Sequence, residues 1–350
     1  MNIRIPILHL IGALLLAPFA RAAAADEALL GRWALTLPSG AGWLEVKRDG
    51  GALKSSLLWG GGSVVPQTTT AIENGVLTVT LVREIPAGGK AGKAGKGGKT
   101  GKGGKAAEAG PTKLTDVLTA RAEGDTLKGT RKLARANGGA DEVAFTGKRS
   151  LPLPPRPNLA KVKFGEPIQL FNGRDLTGWK LKEPNLKNAW TVEGGALVNR
   201  PPAHVEGQAR ERTANVRTEK EFEDFNLKVE VNVPAGSNSG VYLRGIYEIQ
   251  VVDSYGKALD PHNMGALYSR ITPSMSAEKP AGEWQTMDMT LVDRHLTVVL
   301  NGRKIIDNQP VLGCTGGAMW SDESKPGPIY LQGDHGAVSY RNLVLKPVVR

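Results

Sequence analysis

Apolar and polar residues alternate with period two along most of this chain, and no sustained 3.6-residue pattern interrupts them. GRWALTL (Gly31–Leu37), GWLEVKR (Gly42–Arg48), GALKSSLLW (Gly51–Trp59), NGVLTVTLVRE (Asn74–Glu84), TDVLTARAEGDTLKGTRKL (Thr115–Leu133) and DEVAFTGKR (Asp141–Arg149) read as short strands. Gly50-Gly51, Asn74-Gly75 and Gly124-Asp125 punctuate them at hairpin spacing. The pattern predicts a small antiparallel β-barrel or sandwich over residues 26–150. The extended, proline-rich SLPLPPRPNLAKVKFG then predicts a linker over 151–165.

Strand patterns resume after the linker. AWTVEGGALVN turns at Gly194-Gly195, and Asn301-Gly302 between HLTVVL and RKIID is a strong hairpin signal. FNLKVEVNV, EWQTMDMTLVD and VSYRNLVLKPV supply longer strands. About a dozen strands with little room for a helix predict two stacked antiparallel sheets, a jelly-roll sandwich, over 166–350. The fold class is all-β.

Within that region, SNSGVYLRGIYEIQVVDSYG (Ser237–Gly256) carries the chemistry. One parity (Val241, Leu243, Tyr247, Ile249, Val251) is a core face. The other presents Tyr242, Arg244, Glu248 and Gln250, polar groups suited to a ligand groove. A tight bend at the Leu-Arg-Gly junction is the alternative to one continuous strand; it sets the Arg244 and Glu248 strands side by side.

The net charge of +11 suggests nucleic acid until it is located. Two positive charges fall in the first 25 residues and six are lysines of GGKAGKAGKGGKTGKGGKAAEAGP, leaving +3 elsewhere. The glycine–lysine repeats within residues 87–110 hold no proline or aromatic residue to make a triple helix or a base-stacking surface. The tract reads as a solvated loop able to touch anionic polysaccharide weakly, and nucleic acid is not an expected partner. Residues 1–25 combine Arg4, an apolar run and small residues ending in Ala-x-Ala patterns, as a secretory signal peptide does. The run is too short to span a membrane. Export to the periplasm or extracellular space is therefore expected. The single cysteine, Cys314, excludes an intramolecular disulfide and a cysteine metal cluster, and reads as a small buried residue.

Seven ordered motifs add a resemblance: LFNGRDLTGW (Leu170–Trp179), WTVEGGALV, TEKEFEDFNLKVEVNVPAGSNSGVYLRG, YEIQVVDSYG, GALYSRITPS, KPAGEWQ and LQGDHGAVSYRNLVL. Over about residues 166–348 they resemble the 3-keto-disaccharide hydrolase family, a resemblance that implies a concanavalin A-like lectin/glucanase jelly roll. It also implies cleavage of 3-keto-glycosides or 3-keto-disaccharides: a base removes the proton beside the ketone, and the C1 leaving group departs or is hydrolysed. A separate sugar 3-dehydrogenase is the implied partner, since no dinucleotide fingerprint is present. Gly31-x-Trp33 resembles the entry of lipocalin-like barrels.

Such chemistry needs a base, an enolate donor and an acid. Glu248, His335 and Asp253 are the catalytic candidates, His335 because it lies beside Asp334 between glycines. Tyr242, Arg244, Gln250, Trp284, Asp334 and Arg341 are the substrate-binding candidates. The spacing Glu248-x-Gln250-x-x-Asp253 also resembles the catalytic strand of laminarinase-type glucanases, with an amide in the middle place. An ordinary glycoside hydrolase of that type and a non-catalytic lectin-like protein are therefore the alternatives. Asp253, Asp260 and His262 on DSYGKALDPHNMG are weak candidates for a calcium-like divalent cation; no other cofactor is indicated.

Overall fold

The computed structural model describes residues 25–85, 111–203 and 211–349. The signal-peptide and glycine–lysine-loop expectations lie outside the described residues, Ala25 and Pro111 marking where description resumes. The chain divides into two compact units. One comprises residues up to Pro38, Trp43–Leu57 and Val65–Arg149; the other comprises Ser39–Gly42, Leu58–Val64 and Ser150–Arg350. No helix among the described residues is long and apolar enough to cross a membrane.

Nine strands form one antiparallel sheet in the amino-terminal part of the chain: β1 (Gly31–Leu37), β2 (Gly40–Asp49), β3 (Ala52–Trp59), β4 (Val65–Pro66), β5 (Thr69–Glu73), β6 (Val76–Ile85), β7 (Thr112–Glu123), β8 (Thr126–Ala134) and β9 (Ala140–Arg149). Their order is β4-β3-β2-β1-β9-β8-β7-β6-β5. The two ends of that order, β4 and β5, are separated by only Gln67 and Thr68, whose amides pair with Ser55 and Thr80 on opposite flanks. The sheet therefore closes on itself as an up-and-down barrel. Trp33, Leu35, Leu77, Val79, Leu118, Leu127 and Phe145, on alternating positions, are buried. The Arg149 guanidinium sits 4.2 Å above the Trp33 ring and donates to the Ala28 and Leu30 carbonyls. A charged cluster shares the buried side of these strands: Asp116, 2% exposed, accepts two bonds from Arg83, one from Arg131 and one from the Ala134 amide.

Fourteen strands follow: β10 (Lys163–Phe164), β11 (Ile168–Gln169), β12 (Trp179–Leu181), β13 (Trp190–Glu193), β14 (Ala196–Asn199), β15 (Val216–Thr218), β16 (Phe225–Asn232), β17 (Asn238–Leu243), β18 (Tyr247–Val252), β19 (Trp284–Val292), β20 (His295–Leu300), β21 (Arg303–Pro310), β22 (Tyr330–Leu331) and β23 (Val338–Val349). They make a larger sheet, β13-β14-β23-β16-β19-β20-β21 with β10 and β11 also on β23, and a five-stranded sheet, β12-β15-β22-β17-β18. Phe225, Leu227, Val229, Met287, Met289 and Leu345 of the first and Val216, Val241, Ile249, Val251 and Leu331 of the second are at most 1% exposed. A hydrogen bond of 2.8 Å between the Ser239 and Tyr340 hydroxyls joins the two apolar faces. This is the expected jelly-roll sandwich.

The proline-rich segment is not a free spacer. Prolines leave carbonyls without amides to pair them, and Arg294 donates to the Leu151 and Pro152 carbonyls while Asn308 donates to that of Pro157. Its last residues enter β10 and pair with β23. Cys314 is buried, and burial pushes its thiol up to about 12.

Candidate functional site

The five-stranded sheet turns one face to the core and the other outward, and register decides which residues share the outer one. Lys180 pairs with Arg217, Arg217 with Tyr330, Tyr330 with Tyr242, and Tyr242 with Glu248. Directly paired residues lie on one face, so these five form a row across all five strands. Gly240 pairs with Gln250, and the Gln332 amide donates to the Gly240 carbonyl. The second row therefore carries Gln332, Gly240 and Gln250, with Asn215 and Lys182 continuing it through the Lys182 N–H to Asn215 C=O bond.

Tyr242, Glu248 and Gln250 share the outer face, as the residue parity predicts. Arg244 does not. It and Gly245 take left-handed backbone angles (φ 55° and 68°), so the chain reverses there and Leu243 pairs with Tyr247. The Arg244 guanidinium donates to the Glu323 and Lys325 carbonyls and lies 6.0 Å from the Tyr247 ring, on the core-facing parity. It is a structural anchor of the following loop. Asp253 lies beyond the end of β18, where its carboxylate accepts from the Gly236 amide at 2.9 Å; no bulge brings it beside Glu248. Trp284 and Arg341 belong to the other sheet. Arg341 stacks 4.0 Å over the Trp284 ring and donates to Glu230, on the parity opposite the buried Val229, Val231 and Tyr340. They therefore stand on the outer face of the larger sheet, away from the Glu248 row. Asp260 and His262 do meet, at 2.5 Å, but Asp253 is not with them. Among the described residues no three His, Cys, Asp or Glu side chains gather as a metal site.

Glu248 is 4% exposed. Burial pushes its pKa up to about 8; the Tyr242 hydroxyl, placed to donate to the carboxylate, pulls it down, and nearby Asp334 raises it further. The Tyr242 hydroxyl also has the Gly316 carbonyl at 2.7 Å, and the Glu248 amide donates to the Thr315 hydroxyl. Glu248 is thus a carboxyl group kept protonated at neutral pH. Its side chain lies over Gly240, where a Cβ would fall 2.4 Å from Oε1. Gly240→Ala is therefore expected to displace the carboxyl and cost about 1–3 kcal/mol. Chemical denaturation beside wild type checks this, and an unchanged midpoint contradicts it.

Asp334 and His335 follow β22, with Nδ1 2.7 Å from Asp334 Oδ1 and side chains 31% and 29% exposed for His335 and Asp334. Burial pushes Asp334 up, but the His335 bond and charge more than reverse this and hold it below the usual carboxylate range. Asp334 acts electrostatically on Glu248, Tyr242 and Tyr330, so the His–Asp pair belongs to the same face. The Tyr242 and Tyr330 rings stack at 4.1 Å, and the Lys182 ammonium lies 5.2 Å from the Tyr330 ring centre. The side-chain oxygens of Gln250, Gln332 and Asn238 are buried without a hydrogen-bond partner, acceptors that sugar hydroxyls can satisfy.

Sequence reading missed Lys180, Lys182, Arg217, Tyr330 and Gln332. They sit on, or one residue beyond, strands of two or three residues, β12, β15 and β22, too short to show a period. Only LQGDHG, quoted for its histidine, held a trace of them.

The outward polar face of this jelly roll gathers an acid, a His–Asp pair, stacked tyrosines and orphan acceptors, and together with the family match over residues 166–346 it marks a carbohydrate-active protein. The family described as the 3-keto-alpha-glucoside-1,2-lyase-like domain matches residues 166–346, and the chain belongs to that family. Among solved structures, a candidate glycosyl hydrolase of Parabacteroides distasonis ATCC 8503 is 21% identical over 52% of this chain and 94% of its own, with a TM-score of 0.43. A second from the same organism is 26% identical over 57% and 93%, with a TM-score of 0.42. The carbohydrate-binding module CBM66 of Bacillus subtilis is 10% identical over 48% and 95%, with a TM-score of 0.33. No curated protein matches the chain.

Proposed function

We propose that the second unit cleaves 3-keto-glycosides. The observation that carries this reading is the placing of a buried carboxyl, Glu248, and a carboxylate-held histidine, His335, in the family domain, with Asp334 near enough to act on Glu248. A C3 ketone makes the C2–H bond acidic. His335 takes the C2 proton, the electron pair forms the enolate, and collapse of the enolate breaks the C1–O bond. Glu248 gives its proton to the departing oxygen. Water adding at C1 of the resulting enone completes hydrolysis; without it the reaction is a lyase step. Lys182 supplies positive charge for the enolate oxygen. Asp334 is a positioning residue for the imidazole. The ketone must be made elsewhere, by a sugar 3-dehydrogenase. The apolar amino-terminal stretch supports delivery outside the cytoplasm, and the glycine–lysine loop supports weak contact with anionic polysaccharide.

The experiment is NMR of an alkyl 3-keto-glucoside in D2O. Wild type is expected to cleave it with loss or exchange of the C2 proton, and His335→Ala to slow that exchange ~10²-fold or more. Cleavage with the C2 proton fully retained contradicts the route.

The burial of Glu248, with Thr315 and Gly316 bonded to its strand, favours a second reading: a carbohydrate-binding module without turnover. Binding of the keto-sugar with neither exchange nor cleavage selects it.

A further inference from the structure

The outer row begins with two cations directly opposite each other. Lys180 and Arg217 are a register pair, and like charges facing across strands oppose sheet formation. Lys182 stands two residues along the same strand edge, on the same face. Two carboxylates temper the cluster: Glu183 holds the Lys182 ammonium at 2.6 Å, and Glu221 is 3.9 Å from Arg217. Arg217 otherwise makes one long bond, 3.4 Å, to the Thr218 carbonyl. Lys180 is exposed, and its side chain has no hydrogen bond or ion pair among the described residues. Three cations against two carboxylates, with the repulsive pair in register, is a costly arrangement for three short strands. Nothing in the packing requires it, since this face looks away from the core.

The cations stand at the open side of the face: Arg217 and Lys182 side chains are 20% and 22% exposed, whereas Tyr330, Tyr242 and Glu248 are covered. Three strand spacings separate Arg217 from Glu248, about 14 Å. That is more than one pyranose ring spans. A group held at Lys180 and Arg217 therefore belongs to a part of the substrate remote from the bond at Glu248.

We propose that the Lys180–Arg217 edge is a subsite for an anionic group, a carboxylate or a sulfate, carried on the unit of the saccharide remote from the cleaved bond. The inference rests on the saccharide-cleaving reading above and adds its substrate class: acidic saccharides. A carboxylate bridging Lys180 and Arg217 converts a repulsive pair into two charge-assisted hydrogen bonds, and the Arg217 fork suits either oxyanion.

The test compares 3-keto-glucosyl-glucuronate, its 6-sulfated glucose counterpart and the neutral 3-keto-glucosyl-glucose. The acidic substrates are expected to show a KM about ten-fold lower than the neutral one at low salt, with similar kcat, and to lose that advantage in about 0.5 M NaCl. A preference for only one of them identifies the oxyanion. Lys180→Gln and Arg217→Gln are expected to raise KM for the acidic substrates alone and to leave Tm unchanged or higher, because the like-charge pair is relieved. Equal KM values for acidic and neutral substrates overturn the subsite and leave the cleavage reading standing. So does a fall in Tm with KM unchanged, which marks a structural role. Failure to cleave or bind any of the three overturns both.

Discussion

Glu248→Gln is expected to abolish most turnover of a 3-keto-glycoside, by ~10²–10⁴-fold, while the amide, close in size, keeps saccharide binding within a few-fold. The same variant should remove a pH dependence of stability. The carboxyl titrates near 4.5 when exposed and near 8 in the fold, so the native state holds a proton that the unfolded chain releases. Stability from this group is therefore fully present below about pH 4.5 and lost as pH rises through about 8, by no more than about 5 kcal/mol. Urea denaturation of wild type and Glu248→Gln between pH 5 and 9 checks this: wild type should weaken with pH and the variant much less. Parallel curves would show that the carboxyl is not held neutral. Activity that depends on the protonated acid should likewise fall above about pH 8.

Asp116→Ala is expected to destabilise the barrel by about 3–5 kcal/mol. Asp116 is 2% exposed and accepts from Arg83, Arg131 and the Ala134 amide, so its loss leaves guanidinium charge buried beside Arg131, itself 6% exposed. Against a whole-domain stability of about 5–15 kcal/mol, a loss of that size takes a large part of it. Chemical denaturation followed by tryptophan fluorescence, to which Trp33 and Trp43 of the barrel contribute among the chain's seven tryptophans, checks this. A change below about 1 kcal/mol would mean that solvent reaches the cluster. Keto-glycoside cleavage, proposed for the other unit, is expected to be retained where the barrel variant stays soluble.

The sandwich was legible because period-two alternation marks buried and outward faces strand by strand. It placed Tyr242, Glu248 and Gln250 together correctly. Read as one continuous strand it misplaced Arg244; the tight bend at Leu-Arg-Gly, held as the alternative, is the one present, and the left-handed Arg244-Gly245 pair turns the guanidinium to the core-facing side. The Arg-Gly dipeptide was the available signal. Trp284 and Arg341 show a different limit. Alternation says that a residue points outward but not from which sheet, and pairing of distant strands decides that. The same non-local pairing assembles Lys182, Arg217 and Tyr330 on one face with Glu248 from segments far apart in sequence, each too short to be read alone. The proline-rich segment, read as an extended linker, contains a 3-10 turn at Leu159–Lys161, and its seat on the sandwich depends on Arg294 and Asn308, residues far along the chain.

The central claim, that a ketone at C3 makes the bond breakable here, is tested most directly by aglycone release from a chromogenic 3-keto-glucoside and from its unoxidised parent, side by side with wild-type protein. The account predicts colour from the keto-sugar and none above background from the parent. Equal release from both would contradict it and point to an ordinary glycosidase.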